Sequence, residues 1–229
     1  MKIITLKRVS STEDYIRKIL KKQQKTRDDA VVIAQVQKNG RGTKGRDFSS
    51  LKGGVYLSYL RFHDSFKAAD AFKLNAGFSV AVVKTLLAFG IKSGVKWPND
   101  VYASGKKISG MLINNCVKGE YLDYTIVGIG VNVNNEIPSD LADIAISVKQ
   151  IAGGNCDLGV FTATLILNLE NLEEVDLYAR YSIVLGKKIK VVPVNGEPYF
   201  TVAEKILDDG RLLCSDGKVL SSEEVSVRF

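Results

Sequence analysis

Beyond Gly186 the chain is cut at Asn195-Gly196, Asp209-Gly210 and Asp216-Gly217, each a favoured two-residue hairpin turn, so the stretches between have room only for short strands. This tail reads as a small all-β unit. A unit so short is marginal on its own, so the pattern predicts a division into residues 1–184 and 185–229, with the second part docked on the first.

Upstream, the pattern alternates between helical and strand periods. Ile3, Ile4 and Leu6 read as a strand, and Ser10-Ser11-Thr12-Glu13 resembles a capping box that starts a helix near Glu13. Tyr15, Ile16, Ile19 and Leu20 recur at helical spacing, with Arg17, Lys18, Lys21, Lys22 and Lys25 on the solvated faces. Residues 31–36 and Val55–Phe62 are strand candidates, and the glycine-bearing stretch between them is a loop. Over residues 68–89 the stripe Phe72, Ala76, Val80, Val83, Leu87 predicts one long amphipathic helix stopped by Gly90. Ser104-Gly105 is the turn of a hairpin between Val101-Tyr102 and residues 108–113; residues 124–133 form a further strand, in which Gly128 and Gly130 permit close approach. A last helix is expected over 158–181, capped by Asp157 with Phe161, Leu165, Leu169 and Leu172 on one stripe. The class is α+β, a mixed-sheet domain followed by a small β domain.

Composition narrows the chemistry. The 229 residues contain no run of 18 apolar side chains and no hydrophobic cleavage segment, which predicts a cytoplasmic protein without a membrane span. Three widely separated cysteines and a single histidine, His63, argue against a disulfide framework or a zinc site. The net charge of +7 attracts anions, whether phosphates, nucleic acid or an acidic protein, and does not choose among them.

Two segments carry more specific information. Gly40, Gly42 and Gly45 match GxGxxG, but Ser49-Ser50 and Gly53-Gly54 follow where a dinucleotide fold needs a helix, and no GxxxxGK[ST] string exists. What remains is a glycine-rich loop whose Arg41, Lys44 and Arg46 suit phosphate or carboxylate; Phe48 is either a stacking face for a base or a plug for the core. The second segment is Lys96-Trp97-Pro98-Asn99-Asp100 with Lys107 beyond the hairpin: a plain Asn/Asp-capped turn, or a charged site in which Lys107 meets Asp100.

Taken together, Gly40 to Arg46 with Phe48, Lys96 to Asp100, Lys107 to Leu112 and Gly130-Val131-Asn132 resemble, in order and spacing, the motifs of the biotin protein ligases. The resemblance implies a catalytic domain of the biotin/lipoate ligase type with an SH3-like C-terminal domain. It implies that biotin and ATP are the substrates, that biotinyl-5′-AMP is the intermediate and that the product is a biotinylated lysine on a biotin carboxyl carrier protein. By the same resemblance Ser11, Thr12, Glu13, Gln37, Gly40, Arg41, Gly42, Thr43, Lys107, Gly110, Leu112 and Gly128 line the biotin pocket. Arg41, Arg46, Phe48, Trp97, Asn99, Lys107 and Asn132 surround the nucleotide. Lys107, Asp100 and Arg46 are the implied catalytic groups, with Mg²⁺ bridging phosphate oxygens and Asp100 orienting the acceptor amine.

Two departures stand out. Thr43 occupies the place of a second loop arginine, which implies weaker retention of the adenylate, and Glu13 stands where an Asn commonly follows the Ser-Thr pair. Some members of that family carry an N-terminal winged helix that binds DNA; this chain opens at the catalytic strand, so no such domain is expected, and a homodimer is the expected assembly. The competing readings are a lipoate or octanoate ligase on the same architecture, and a noncatalytic nucleic-acid-binding protein using the positive charge.

Overall fold

The structure, a computed structural model, describes residues 1–22, 26–172 and 176–228; Lys25 and the side chain of Lys44 lie outside the described residues. Its first sheet has seven strands: β1 (Lys2–Leu6), β2 (Ala30–Ala34), β3 (Val55–Phe62), β4 (Gly94–Lys96), β5 (Asp100–Ala103), β6 (Lys106–Lys118) and β7 (Tyr121–Val131), ordered β1-β2-β3-β7-β6-β5-β4. Only β1 and β2 run parallel, because α1 (Thr12–Lys22) crosses between them. The Ser104-Gly105 turn has positive φ at both residues, 49° and 75°, as a type I′ hairpin requires.

Alternation along the strands gives the sheet two apolar faces. Ile16 of α1 packs on Ala30, Val32, Leu60 and Ile126. The opposite face, with Val31, Leu57, Tyr59, Val127 and Ile129, is covered by α2 (Ala71–Ala88), and α4 (Leu158–Glu170) and α5 (Asp176–Tyr181) lie outside α2. The helix expected to be amphipathic is therefore buried on nearly all sides, since elements on both flanks occupy its faces. By length and apolar content residues 68–88 would suffice to cross a membrane, but here they form the central layer of the core. A short helix, α3 (Val148–Ala152), has no counterpart in the sequence reading; its capping box joins Ser147 and Gln150.

The single helix expected over 158–181 is in fact α4 and α5. Asn171 ends α4 with a non-helical backbone, its side-chain amide donating to Leu167 O at 2.9 Å. Asp157 caps the start as expected, accepting from the amides of Gly159 and Val160.

The C-terminal strands β8 (Lys188–Pro193), β9 (Tyr199–Ile206), β10 (Leu212–Cys214), β11 (Val219–Leu220) and β12 (Val225–Arg228) make an antiparallel sheet ordered β11-β10-β9-β8-β12. Ile189, Val191, Ala203, Leu212 and Val227 are in its core, which Trp97, directly after β4, also joins.

Candidate active site

A narrow pocket lies on the α1 face of the first sheet. Its floor is almost free of side chains, because Gly110, Gly128 and Gly130 fall side by side on β6 and β7, with the pairs Gly110–Gly130 and Leu112–Gly128 in register. A Cβ on Gly130 would overlap the Phe48 ring, and one on Gly110 would stand 2.9 Å from Lys107 Nζ. The N-terminus of α1 forms one wall. Thr12 donates to Gln37 Oε1 from its amide at 2.8 Å and from Oγ1 at 3.0 Å, so Ser58 Oγ, 2.8 Å from Thr12 Oγ1, is the donor of that third bond. Gln37 Nε2 donates in turn to Ser50 Oγ at 2.9 Å, and Ser50 Oγ to Phe48 O at 3.0 Å. This chain of bonds ties the glycine-rich loop to the helix. The Phe48 ring rests on the glycine floor, edge-on to Tyr56 with centroids 6.3 Å apart, and the cavity left is about 40 Å³. That space holds a few waters at most, so the pocket has to widen to admit a bicyclic ligand.

Next to it opens a wider cleft of about 740 Å³, between the Trp97-Pro98 turn and the second sheet. Arg46, Asn75, Lys96, Asn99 and Arg211 are among the polar groups on its walls. The turn, whose Trp97–Pro98 peptide is cis, is pinned on three sides. Trp97 Nε1 donates to Gly210 O at 2.8 Å, Tyr178 Oη to Pro98 O at 2.7 Å, and Asn99 Nδ2 to Met111 O at 3.1 Å. Burial pulls the Lys96 ammonium below its ordinary pKa; Asp100 opposes this, while Lys107, Arg228 and Arg46 add to it. Lys96 donates to Tyr102 Oη at 3.2 Å, and burial with the Asp100 charge pushes that phenol up to about 12.

The two recesses share a wall made of Thr43, Asp100 and Leu112. Here Lys107 Nζ lies 2.6 Å from Asp100 Oδ1, the two side chains about one-third exposed. Lys107 is held firmly: its amide donates to Ile144 O at 2.9 Å and its carbonyl accepts from Ile146 N at 3.0 Å, outside the ladder it shares with β5. An ammonium so placed faces the narrow pocket while its carboxylate partner faces both spaces. Chemically, the ammonium can offset an anion in the narrow pocket, while the carboxylate can accept a hydrogen bond from a donor in either space.

Most of the residues named from sequence converge here. Ser11, Thr12, Glu13, Gln37, Arg41, Gly42, Thr43, Lys107, Gly110, Leu112 and Gly128 line the narrow pocket, and Arg46, Trp97 and Asn99 line the cleft. Phe48, assigned to the nucleotide, instead lines the narrow pocket. Gly40 and Asn132 line neither recess; Gly40 O accepts the Phe48 amide, and Asn132 Oδ1 accepts from Asn135 Nδ2. Trp97 is 3% exposed, with its N–H committed to Gly210. Arg41 forms a two-pronged pair with Asp14 at 3.0 and 3.1 Å. Sequence reasoning missed Ser58, hidden in a largely buried strand, as well as Asn75 and Arg211, whose approach depends on how α2 and the second sheet dock.

The sequence pattern of the Biotin/lipoate A/B protein ligase family matches residues 5–132, more than half of the chain. The chain belongs to that family. Over 201 residues it is 31% identical to the Bifunctional ligase/repressor BirA of Bacillus subtilis, an alignment covering 81% of this chain and 61% of that protein. It thus spans about three fifths of that relative's length. Over 203 residues it is 28% identical to a biotin–acetyl-CoA-carboxylase ligase of Mycobacterium tuberculosis, covering 82% of this chain and 74% of that one. The solved biotin protein ligase from Aquifex aeolicus in complex with biotin and ATP matches with a TM-score of 0.80 at 27% identity, over 99% of this chain and 98% of that one.

Proposed function

We propose that the chain is an ATP-dependent biotin protein ligase. The observation that carries this reading is the Lys107–Asp100 pair, with Lys107 in the narrow pocket and Asp100 on the wall that pocket shares with the wide cleft. Biotin enters the narrow pocket, ring toward Thr12 and Gln37 and carboxylate toward Lys107; ATP occupies the cleft. A biotin carboxylate oxygen attacks the α-phosphorus, the bond to the β-phosphate bridging oxygen breaks, and pyrophosphate leaves. Lys107 and Arg46 offset the repulsion between the two anions, the main barrier to this step. A lysine amine of a biotin carboxyl carrier protein then attacks the acyl carbon of the mixed anhydride. AMP departs, and Asp100 orients the amine and takes its proton.

The comparisons support this assignment through the biotin ligases they name and through the Aquifex complex with biotin and ATP. No group of three or more His, Cys, Asp or Glu side chains able to hold a metal occurs among the described residues. The donor set fits Mg²⁺ carried mainly by nucleotide phosphates, with Asp209 and Glu223 as the cleft-wall carboxylates outside the Lys107 pair, since Mg²⁺ usually needs only one or two protein carboxylates. When bound, the ion neutralises charge on the phosphate oxygens.

Under the same proposal the chain divides into residues 1–184 and 185–229, the second an SH3-like barrel. Ile183 N donates to Val95 O of the first sheet, whereas Val184 packs in the second core, which favours a junction at that point. A homodimer through a sheet edge and a cytoplasmic location complete the reading. The test is pyrophosphate release from ATP with biotin, lipoate or octanoate offered separately. Release with biotin alone is expected; release only with lipoate or octanoate overturns the substrate, and tight salt-dependent DNA binding without release overturns the enzyme.

A further inference from the structure

Glu13 stands out among the groups lining the narrow pocket. It is 7% exposed, and its Oε1 takes three donors: Arg17 Nε at 3.0 Å, Arg17 Nη2 at 2.7 Å and Asn114 Nδ2 at 3.1 Å. Oε2 accepts from none of the described residues. The neighbouring polar groups are committed to one another, Thr12 to Gln37 and Ser58, Gln37 to Ser50, and Ser11 Oγ to the Glu13 amide at 3.2 Å. The carboxylate is thus locked in orientation by one oxygen, with acceptor capacity left on the other. An Asn at this position would present a neutral amide able to donate as well as accept; a carboxylate only accepts, and does so with charge.

We infer that Glu13 is a specificity-determining residue of the narrow pocket, its Oε2 accepting a hydrogen bond from a ring N–H of the ligand. The pocket then selects rings that present N–H donors: a cyclic urea, and with a relative preference set by Glu13, the cationic cyclic guanidine that replaces the urea oxygen with nitrogen. The inference rests on the biotin reading above and assigns the chemistry of one wall within it. Biotin and 2-iminobiotin differ only at that ring position, so the ratio of their affinities isolates the contribution of Glu13 from general effects on the pocket. At neutral pH a guanidine is protonated, and its N–H donors form charge-assisted bonds to a carboxylate.

The experiment is calorimetric binding of biotin and of 2-iminobiotin at pH 7 to the wild type, Glu13→Gln, and Glu13→Gln with Arg17→Gln. In Glu13→Gln the ratio of the 2-iminobiotin to the biotin dissociation constant is expected to rise roughly tenfold or more, the scale of a charged hydrogen bond. The double variant removes the Arg17 charge that Glu13→Gln leaves uncompensated, and should retain the rise. An unchanged ratio in the single variant overturns the inference. Reversion to the wild-type ratio in the double variant overturns it too, because the field of Arg17 would then account for the change. If Glu13→Gln does not fold, Glu13→Asp serves: it keeps the charge but draws the carboxylate back from the ring, so the ratio should rise, and no change overturns the inference. Biotin binding with an unaltered ratio refutes the role of Glu13 only. Failure of the wild type to bind either compound refutes the biotin reading together with it.

Discussion

Lys107 Nζ lies 2.6 Å from Asp100 Oδ1, and these two residues reach each other across the β5–β6 hairpin although seven positions separate them in the chain. Their strands pair with a register shift between Val101 and Tyr102, which sets Lys107 opposite Tyr102 and brings its side chain back toward the start of β5. The bulge thus delivers a cation to the narrow pocket and a carboxylate to the wall common to both recesses.

The hydrogen-bond chain from Thr12 through Gln37 and Ser50 to Phe48 fixes the pocket wall and the loop at once. Gln37→Ala leaves the Thr12 amide and hydroxyl without their acceptor and should cost about 1–3 kcal/mol in stability. Activity should suffer mainly through a higher KM for biotin, with kcat less affected. Urea denaturation and steady-state kinetics check both parts.

Gly130 has no room for a methyl group beneath the Phe48 ring. Gly130→Ala should therefore displace the ring and lower thermal stability, and its methyl group, standing on the pocket floor, should lower biotin affinity. Adding Phe48→Ala removes the clash, so the double variant should be more stable than the sum of the two single losses predicts. A double-mutant cycle by calorimetry measures that coupling; strict additivity would show that the ring and the floor do not press on each other.

Trp97 belongs to two places, its backbone following β4 of the first sheet and its indole packed in the core of the second. Trp97→Phe retains most of the packing but leaves Gly210 O without its donor, a loss of about 1–3 kcal/mol. For a chain of this size each kcal/mol corresponds to about 2–4 °C in Tm. Trp97→Ala opens a cavity as well and should cost about 3–5 kcal/mol. Differential scanning calorimetry distinguishes the two.

His63 lies 8% exposed against Phe66, its Nε2 2.9 Å from Thr125 Oγ1, and burial, followed by the Arg61 charge, holds its pKa below the ordinary histidine value. The unfolded chain therefore takes up this proton first. Stability linked to His63 is complete above pH ~6.5 and declines as the pH falls toward the depressed folded value. His63→Gln should flatten the fall in Tm between about pH 7 and pH 5, measured by thermal melts across that range.

Much of this is legible in the sequence. Val55–Phe62 coincides with β3, and Ser104-Gly105 forms the hairpin turn, because alternation and turn chemistry are local properties. The glycine loop, the Trp97 turn and Lys107 also meet as their motifs imply. What the sequence hid depends on neighbours. The stripe on α2 reads as one apolar face, yet its other faces are covered by α4 and α5, which no local pattern announces. Ser58 is a small hydroxyl in a largely buried strand, and only the approach of Thr12, 46 positions away, gives it a role. Phe48 had two readings, stacking face or plug; its place on the glycine floor follows from the approach of three separate chain segments.

The central claim is that adenylation occurs where the pocket and the cleft meet, with Lys107 serving the first step and Asp100 the second. The direct measurement quantifies biotinyl-5′-AMP and biotinylated carrier separately in Lys107→Ala and Asp100→Ala, with and without chemically prepared biotinyl-5′-AMP. Lys107→Ala should form adenylate at least about 100-fold more slowly than the wild type, yet biotinylate carrier when the adenylate is supplied. Asp100→Ala should form adenylate and transfer it poorly from either source. Wild-type rates of both steps in both variants would contradict the account.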